Sequence, residues 1–169
     1  MTIIRPAASA AAAEGREPFE RVVEAHGEVV WRVCRGLLPQ HDAEDAWSET
    51  FLAAMRAWDR FEGDRVRGWL VTIAHRKAID VLRAAARVET REEGPPDSAA
   101  APAGRDLDLW AALARLPGRE RAAVVHHHLA GLPFAEVAAL TGSTPTAARK
   151  AASDGVRRLR ILMRTEEDR

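Results

Sequence analysis

Residues 42–87 read DAEDAWSETFLAAMRAWDRFEGDRVRGWLVTIAHRKAIDVLRAAAR, and this stretch decides the fold. Trp47, Phe51, Ala54, Met55 and Trp58 recur at helical spacing, which predicts an amphipathic helix with those five on its buried stripe. Its outer face carries Asp42, Glu44, Asp45 and Glu49. After the turn Phe61-Glu62-Gly63-Asp64, a second helix from about Val66 to Arg87 buries Leu70, Ile73, Ala74 and Leu82. Arg83 and Arg87 follow Arg76 by seven and eleven residues, so the three lie within about 20° of one line along the helix. Trp69 and Thr72 share that side. An aromatic ring and a hydroxyl in line with three guanidiniums suit a nucleic-acid surface.

Charge is segregated although it cancels. The chain has 169 residues, with 25 Lys plus Arg against 25 Asp plus Glu. Residues 42–64 hold seven acids against two arginines, whereas residues 65–87 hold six bases against Asp80 alone. Such blocks create local fields that the neutral sum hides.

Taken together, DAED, ETFL, the Phe61…Trp69-Leu70…Ile73-Ala74 frame and Ala78-Ile79-Asp80…Leu82-Arg83 resemble region 2 of bacterial sigma factors, the initiation subunits of RNA polymerase. The resemblance implies that the acidic helix docks on core RNA polymerase through Asp45, Ser48, Glu49 and Leu52. It also implies that the basic helix engages the minus-ten element of promoter DNA. Trp69, Thr72, His75, Arg76, Lys77, Arg83 and Arg87 are the residues expected to do so.

Upstream, residues 1–17 are Ala-rich, interrupted by Pro6, and read as a disordered lead-in, not a signal peptide. Residues 18–87 form the first domain. Its first helix runs from Pro18 to about Leu38, with Gly27 a possible bend and Gly36 and Pro39 closing it. Asp42 is expected as the N-cap of the next helix. Cys34 is the only cysteine, so no internal disulfide forms; it reads as a small core residue in a reducing, cytoplasmic protein. No segment is long and apolar enough for membrane insertion.

Residues 88–106, VETREEGPPDSAAAPAGRD, are rich in proline, glycine and acid, and predict a flexible linker. Fully extended it spans about 65 Å, enough with the domains' own widths to straddle sites roughly 70 Å apart on a duplex. The second domain, residues 107–165, is read as four helices. A short one carries Leu109, Trp110, Leu113 and Leu116; the next runs from Arg119 to Ala130; a compact third runs from Phe134 to Leu140. Thr141-Gly142-Ser143-Thr144 is a tight turn, with Gly142 suited to positive φ and Thr144 to an N-cap before Pro145. The last helix runs from Pro145 towards Arg164. Helix, glycine turn, helix is the helix-turn-helix pattern. Thr144, Thr146, Arg149, Lys150 and Ser153 stand near the start of the last helix, where base edges are read, and Arg157 farther along, where phosphate is met.

Leu116-Pro117, Arg121, Gly131-Leu132, Glu136-Val137-Ala138 and Leu159-Arg160 resemble sigma region 4, which binds the minus-thirty-five element. Two such regions with no third between them are the arrangement of the extracytoplasmic-function group. The expectation is therefore an all-α chain of two small helical domains, a three-helix region 2 bundle and a four-helix region 4 with a helix-turn-helix. The function implied is promoter recognition, without enzymatic activity or cofactor, and such factors are commonly held by an anti-sigma factor. Five positions depart from the family pattern: Ser48 where Gln is usual, Arg76 where Asn is usual, Ala147-Ala148 for Thr-Val, and Asp154 for Arg. A DNA-binding regulator without polymerase contact and a helical interaction protein are the alternative readings. His126-His127-His128 is not expected to bind metal, because consecutive helical residues diverge by about 100°.

Overall fold

The computed structural model describes residues 17–89 and 105–167, and every regular element among them is helical. Most of the expected lead-in and linker lies outside the described residues. Helices α1 (Phe19–Leu37), α2 (Gln40–Ala57) and α3 (Val66–Glu89) pack pairwise. Val22, Val30, Val33, Phe51, Leu70, Val71 and Ala74 are buried among them. A wall of aromatic rings closes one end. Phe61 stacks on Trp69 with centroids 4.4 Å apart, and Trp58 stacks on Phe61 at 5.8 Å.

Several local expectations are corrected. Helix α2 starts at Gln40, with Pro39 in the capping position, so Asp42 lies in the first turn and is not the N-cap. Proline's fixed φ organises that start without a side-chain cap. Trp58 leaves the helix for a 3₁₀ turn, Trp58–Arg60. Met55, expected on the buried stripe, is 52% exposed. The stripe from Trp47 to Phe51 and Ala54 already fills the space against α1 and α3, and Met55 falls one position past it. Gly27 sits inside α1, where its carbonyl accepts the Trp47 indole N–H at 2.9 Å.

The second half comprises α4 (Arg105–Ala114), α5 (Gly118–Val124), α6 (Phe134–Thr141) and α7 (Pro145–Glu167). The expected α-helix from Arg119 to Ala130 widens into a π turn over Val125–Leu129, where the Ala130 N–H reaches the Val125 carbonyl at 3.0 Å. Gly142 takes φ 63°, and the Thr144 hydroxyl oxygen accepts the Ala147 N–H at 3.2 Å. The turn between α6 and α7 therefore has the expected chemistry. Helix α7 lies across α5, its small residues Ala148, Ala152 and Gly155 buried against it.

The two halves do not stand apart. Helix α1 packs on the π turn and on α4, and α3 touches α6. Gly36 is what lets α1 approach: a Cβ there would lie 2.6 Å from a Val125 methyl. Arg35 lies 5.6 Å over the Trp110 ring, and Arg65 pairs with Glu136.

Candidate functional site

Asp45, Ser48, Glu49 and Leu52 are all exposed, and their spacing puts them on one face of α2. Leu52 is 42% exposed, and Met55 extends the same ridge. Two uncovered apolar side chains rimmed by carboxylates have the make-up of a protein-docking surface. The Ser48 hydroxyl donates to the Glu44 carbonyl of its own helix at 3.1 Å, and Glu49 meets Lys77 at 3.2 Å. Lys77, expected to serve DNA, is thus turned towards α2 and partly neutralised. Its position on α3 points it to the bundle side, away from the arginine line.

Arg76, Arg83 and Arg87 are exposed along α3 as their spacing requires. Trp69 is half-buried and braced by Phe61, and the Thr72 hydroxyl donates to the Gly68 carbonyl at 2.8 Å. Trp69, Thr72, Arg76 and Arg83 line a cleft of about 650 Å³ whose other wall is Leu132, Glu136 and Leu140. His75 is the correction here. It is only 9% exposed, and its Nδ1 lies 2.9 Å from Nε2 of the fully buried His126. It faces the other half of the chain and not an open DNA surface, because a helical step of about 100° separates it from Arg76.

The helix-turn-helix leaves Thr144, Thr146, Arg149, Lys150, Ser153 and Arg157 exposed. The Arg149 guanidinium sits 5.3 Å over the Phe134 ring, which stacks on His127 at 3.8 Å. That contact lays the exposed Arg149 against the start of α6. Lys150 and Arg157 both bind Asp154, at 2.6 and 2.8 Å. The Lys150 hydrogen bond, with Arg157 beside it, holds the Asp154 carboxyl below the usual carboxylate range. Two of the expected DNA cations therefore already have a counter-charge. The spacing of Lys150, Asp154 and Arg157 at i, i+4 and i+7 carried this signal in the sequence.

The histidine run splits three ways: His126 points inward, His127 stacks on Phe134, and His128 is exposed. Among the described residues no group of three potential ligands gathers around one point. Cys34 is buried, and burial pushes its thiol up to about 12, which suits a core residue. No helix among the described residues is long and apolar enough to cross a membrane.

Comparisons with known proteins concern the chain as a whole. Residues 22–88 match Sigma-70 region 2, and residues 106–159 match Sigma-70 region 4. The chain is 39% identical over 129 residues to RNA polymerase sigma factor CarQ of Myxococcus xanthus, covering 72% of this chain and 74% of that one. It is 30% identical over 136 residues to ECF RNA polymerase sigma factor SigE of Mycolicibacterium smegmatis, covering 73% of this chain and 53% of that one. The fold is similar to the sigma factor RpoE solved with the anti-sigma factor NepR from Bartonella quintana. That match has a TM-score of 0.74 at 23% identity, over 86% of this chain and 96% of that one. It is also similar to CnrH solved with the cytosolic domain of CnrY, with a TM-score of 0.65 at 27% identity, over 93% of this chain and 95% of that one.

Proposed function

Because the chain belongs to the sigma-70 family, in its extracytoplasmic-function group, we propose that it joins core RNA polymerase through the Asp45–Met55 ridge of α2. It then presents the arginine line of α3 to the minus-ten element and the start of α7 to the major groove upstream. One observation carries this: an acidic ridge with two bare apolar anchors and a line of exposed arginines occupy different faces of one three-helix bundle. The first surface suits a protein and the second an anionic strand. They can be engaged at once, as initiation requires. The chain acts by binding, not by bond chemistry. An anti-sigma protein is a fitting further partner, since NepR is described as one for the RpoE relative.

In vitro transcription with core enzyme on a pool of genomic promoter fragments tests the whole reading. RNA starting at discrete sites only when the chain is added is the expected result. Failure both to bind core enzyme and to start RNA on any fragment leaves a helical scaffold. Within that assay, Arg83→Ala and Arg87→Ala should each flatten the salt dependence of promoter binding by roughly one unit of log–log slope. Unchanged slopes would remove those side chains from the interface. Asp154→Asn should do the opposite, releasing Lys150 and Arg157 and steepening the slope of upstream-element binding by between about one and two units. A titration of labelled duplex from 50 to 300 mM salt reads both.

A further inference from the structure

His75 and His126 meet across the junction between the halves, 51 residues apart in sequence, with rings 4.8 Å apart and at 69° to each other. We propose that this contact is an acid-released latch: with both rings neutral it holds the region 4 half over the promoter-facing side of α3, and protonation lets the halves part. The consequence for DNA rests on the function proposed above; the conformational step does not.

The hydrogen-bond directions explain why neutrality is required. Nδ1 of His126 is buried with no acceptor in reach, so the His126 proton sits on Nε2. His126 Nε2 faces Nδ1 of His75 at 2.9 Å, so that Nδ1 is bare and the His75 proton sits on its own Nε2. In a neutral ring Nδ1 is then an acceptor, and His126 Nε2–H donates to it. Nδ1 of His126 is left buried, with no hydrogen-bond partner. A further proton has two places to go. On His75 Nδ1 it would confront the N–H of His126. On His126 Nδ1 it would create a buried cation with no acceptor.

Other charges do not relieve this. Burial above all, with His75 beside it, pushes His126 down to about 3; burial, then Arg76, lowers His75. Asp64, Arg65, Arg76, Asp80, Arg83 and Glu136 share the cleft with His75. Cys34 and Arg35 lie on α1, Arg121 on α5, and His127 and His128 on the turn itself. Arginine keeps its proton throughout the relevant range, and Cys34 does too.

The sign follows from the lowered values. In the parted form both histidines return to about 6.5, so below that pH the parted form binds more protons than the closed one. The histidines' contribution to closure is therefore fully present above about pH 6.5. It weakens as pH falls, by about tenfold per unit for each histidine, until the closed-form values are reached. What closure covers is the proposed DNA face. Glu136 pairs with Arg65, and a Cβ on Gly68 would lie 3.0 Å from its carboxylate, so an acid sits against α3 where an anionic strand would run.

Small-angle scattering of the full chain between pH 8 and 5.5 measures the opening. Anisotropy of a labelled pool of 30-nucleotide single strands measures exposure of α3. The radius of gyration should stay constant down to about pH 6.5 and then rise. His126→Gln keeps an N–H donor but takes no proton, so it should halve the steepness of the transition. The nearest neighbours of a Cβ at Gly36 are Val125 and Leu129 of the other half, so Gly36→Val crowds that junction. It should hold the halves apart at every pH and bind the strands at least tenfold more tightly than the parent at pH 8. A parent radius that does not change, or a His126→Gln transition as steep as the parent's, overturns the latch. Opening without gain in strand binding, in Gly36→Val as well, sustains the latch and overturns the DNA assignment of α3.

Discussion

Replacing Leu52 and Met55 together by aspartate is expected to abolish capture of core RNA polymerase while leaving the chain folded. Both side chains are already about half exposed, at 42% and 52%, so little core packing is lost. An apolar anchor buried at the centre of a protein interface is worth about 2 kcal/mol or more, and each loss should weaken binding roughly 30-fold. Together, and with two carboxylates added to a face that already carries Asp45 and Glu49, the loss should exceed about 1,000-fold. Glu49→Gln is the contrasting case. Its exposed pairing with Lys77 at 3.2 Å contributes little to folding, since such pairs are worth at most about 1 kcal/mol. Fluorescence titration of labelled chain with core enzyme, alongside a circular dichroism melt, separates binding from folding. Undiminished capture by the double variant would move the docking surface off α2.

Gly155→Val should destabilise the second half by about 3 kcal/mol, at the upper end for overpacking a fitted core. At position 155 a Cβ would lie 2.6 Å from a Val124 methyl and 3.2 Å from the Glu120 carbonyl oxygen. The methyl belongs to a side chain only 3% exposed, and the oxygen belongs to backbone, so neither gives way freely. Alanine at the same site gains about 1 kcal/mol of helix propensity against that cost, so its net effect should be a shift of a few degrees. Valine adds two methyls to the crowded space and should lower the melting temperature of that half by roughly 10–20 °C. Differential scanning calorimetry reads this directly. A melting temperature within a degree of the parent's would mean that α7 slides on α5 at no cost.

Much of this protein is legible in its sequence. The 3.6-residue recurrence of Trp47, Phe51 and Ala54 and the opposed charge blocks on α2 and α3 determine two helices and their outer faces. So does the Thr141–Thr144 turn chemistry, because propensity, periodicity and capping act over one or two turns. The arginine line of α3 and the exposed start of α7 follow from the same local rules. Tertiary structure alone decided the rest. It left Met55 outside and buried His75, since which edge of a stripe is covered depends on the neighbour that packs there, not on the stripe itself. It opened α5 into a π turn that carries His126 inward. And it laid Val125 on Gly36, joining halves that composition alone suggested would stand apart. Such contacts are made by residues scores of positions apart, and only the packed chain brings them within reach of one another.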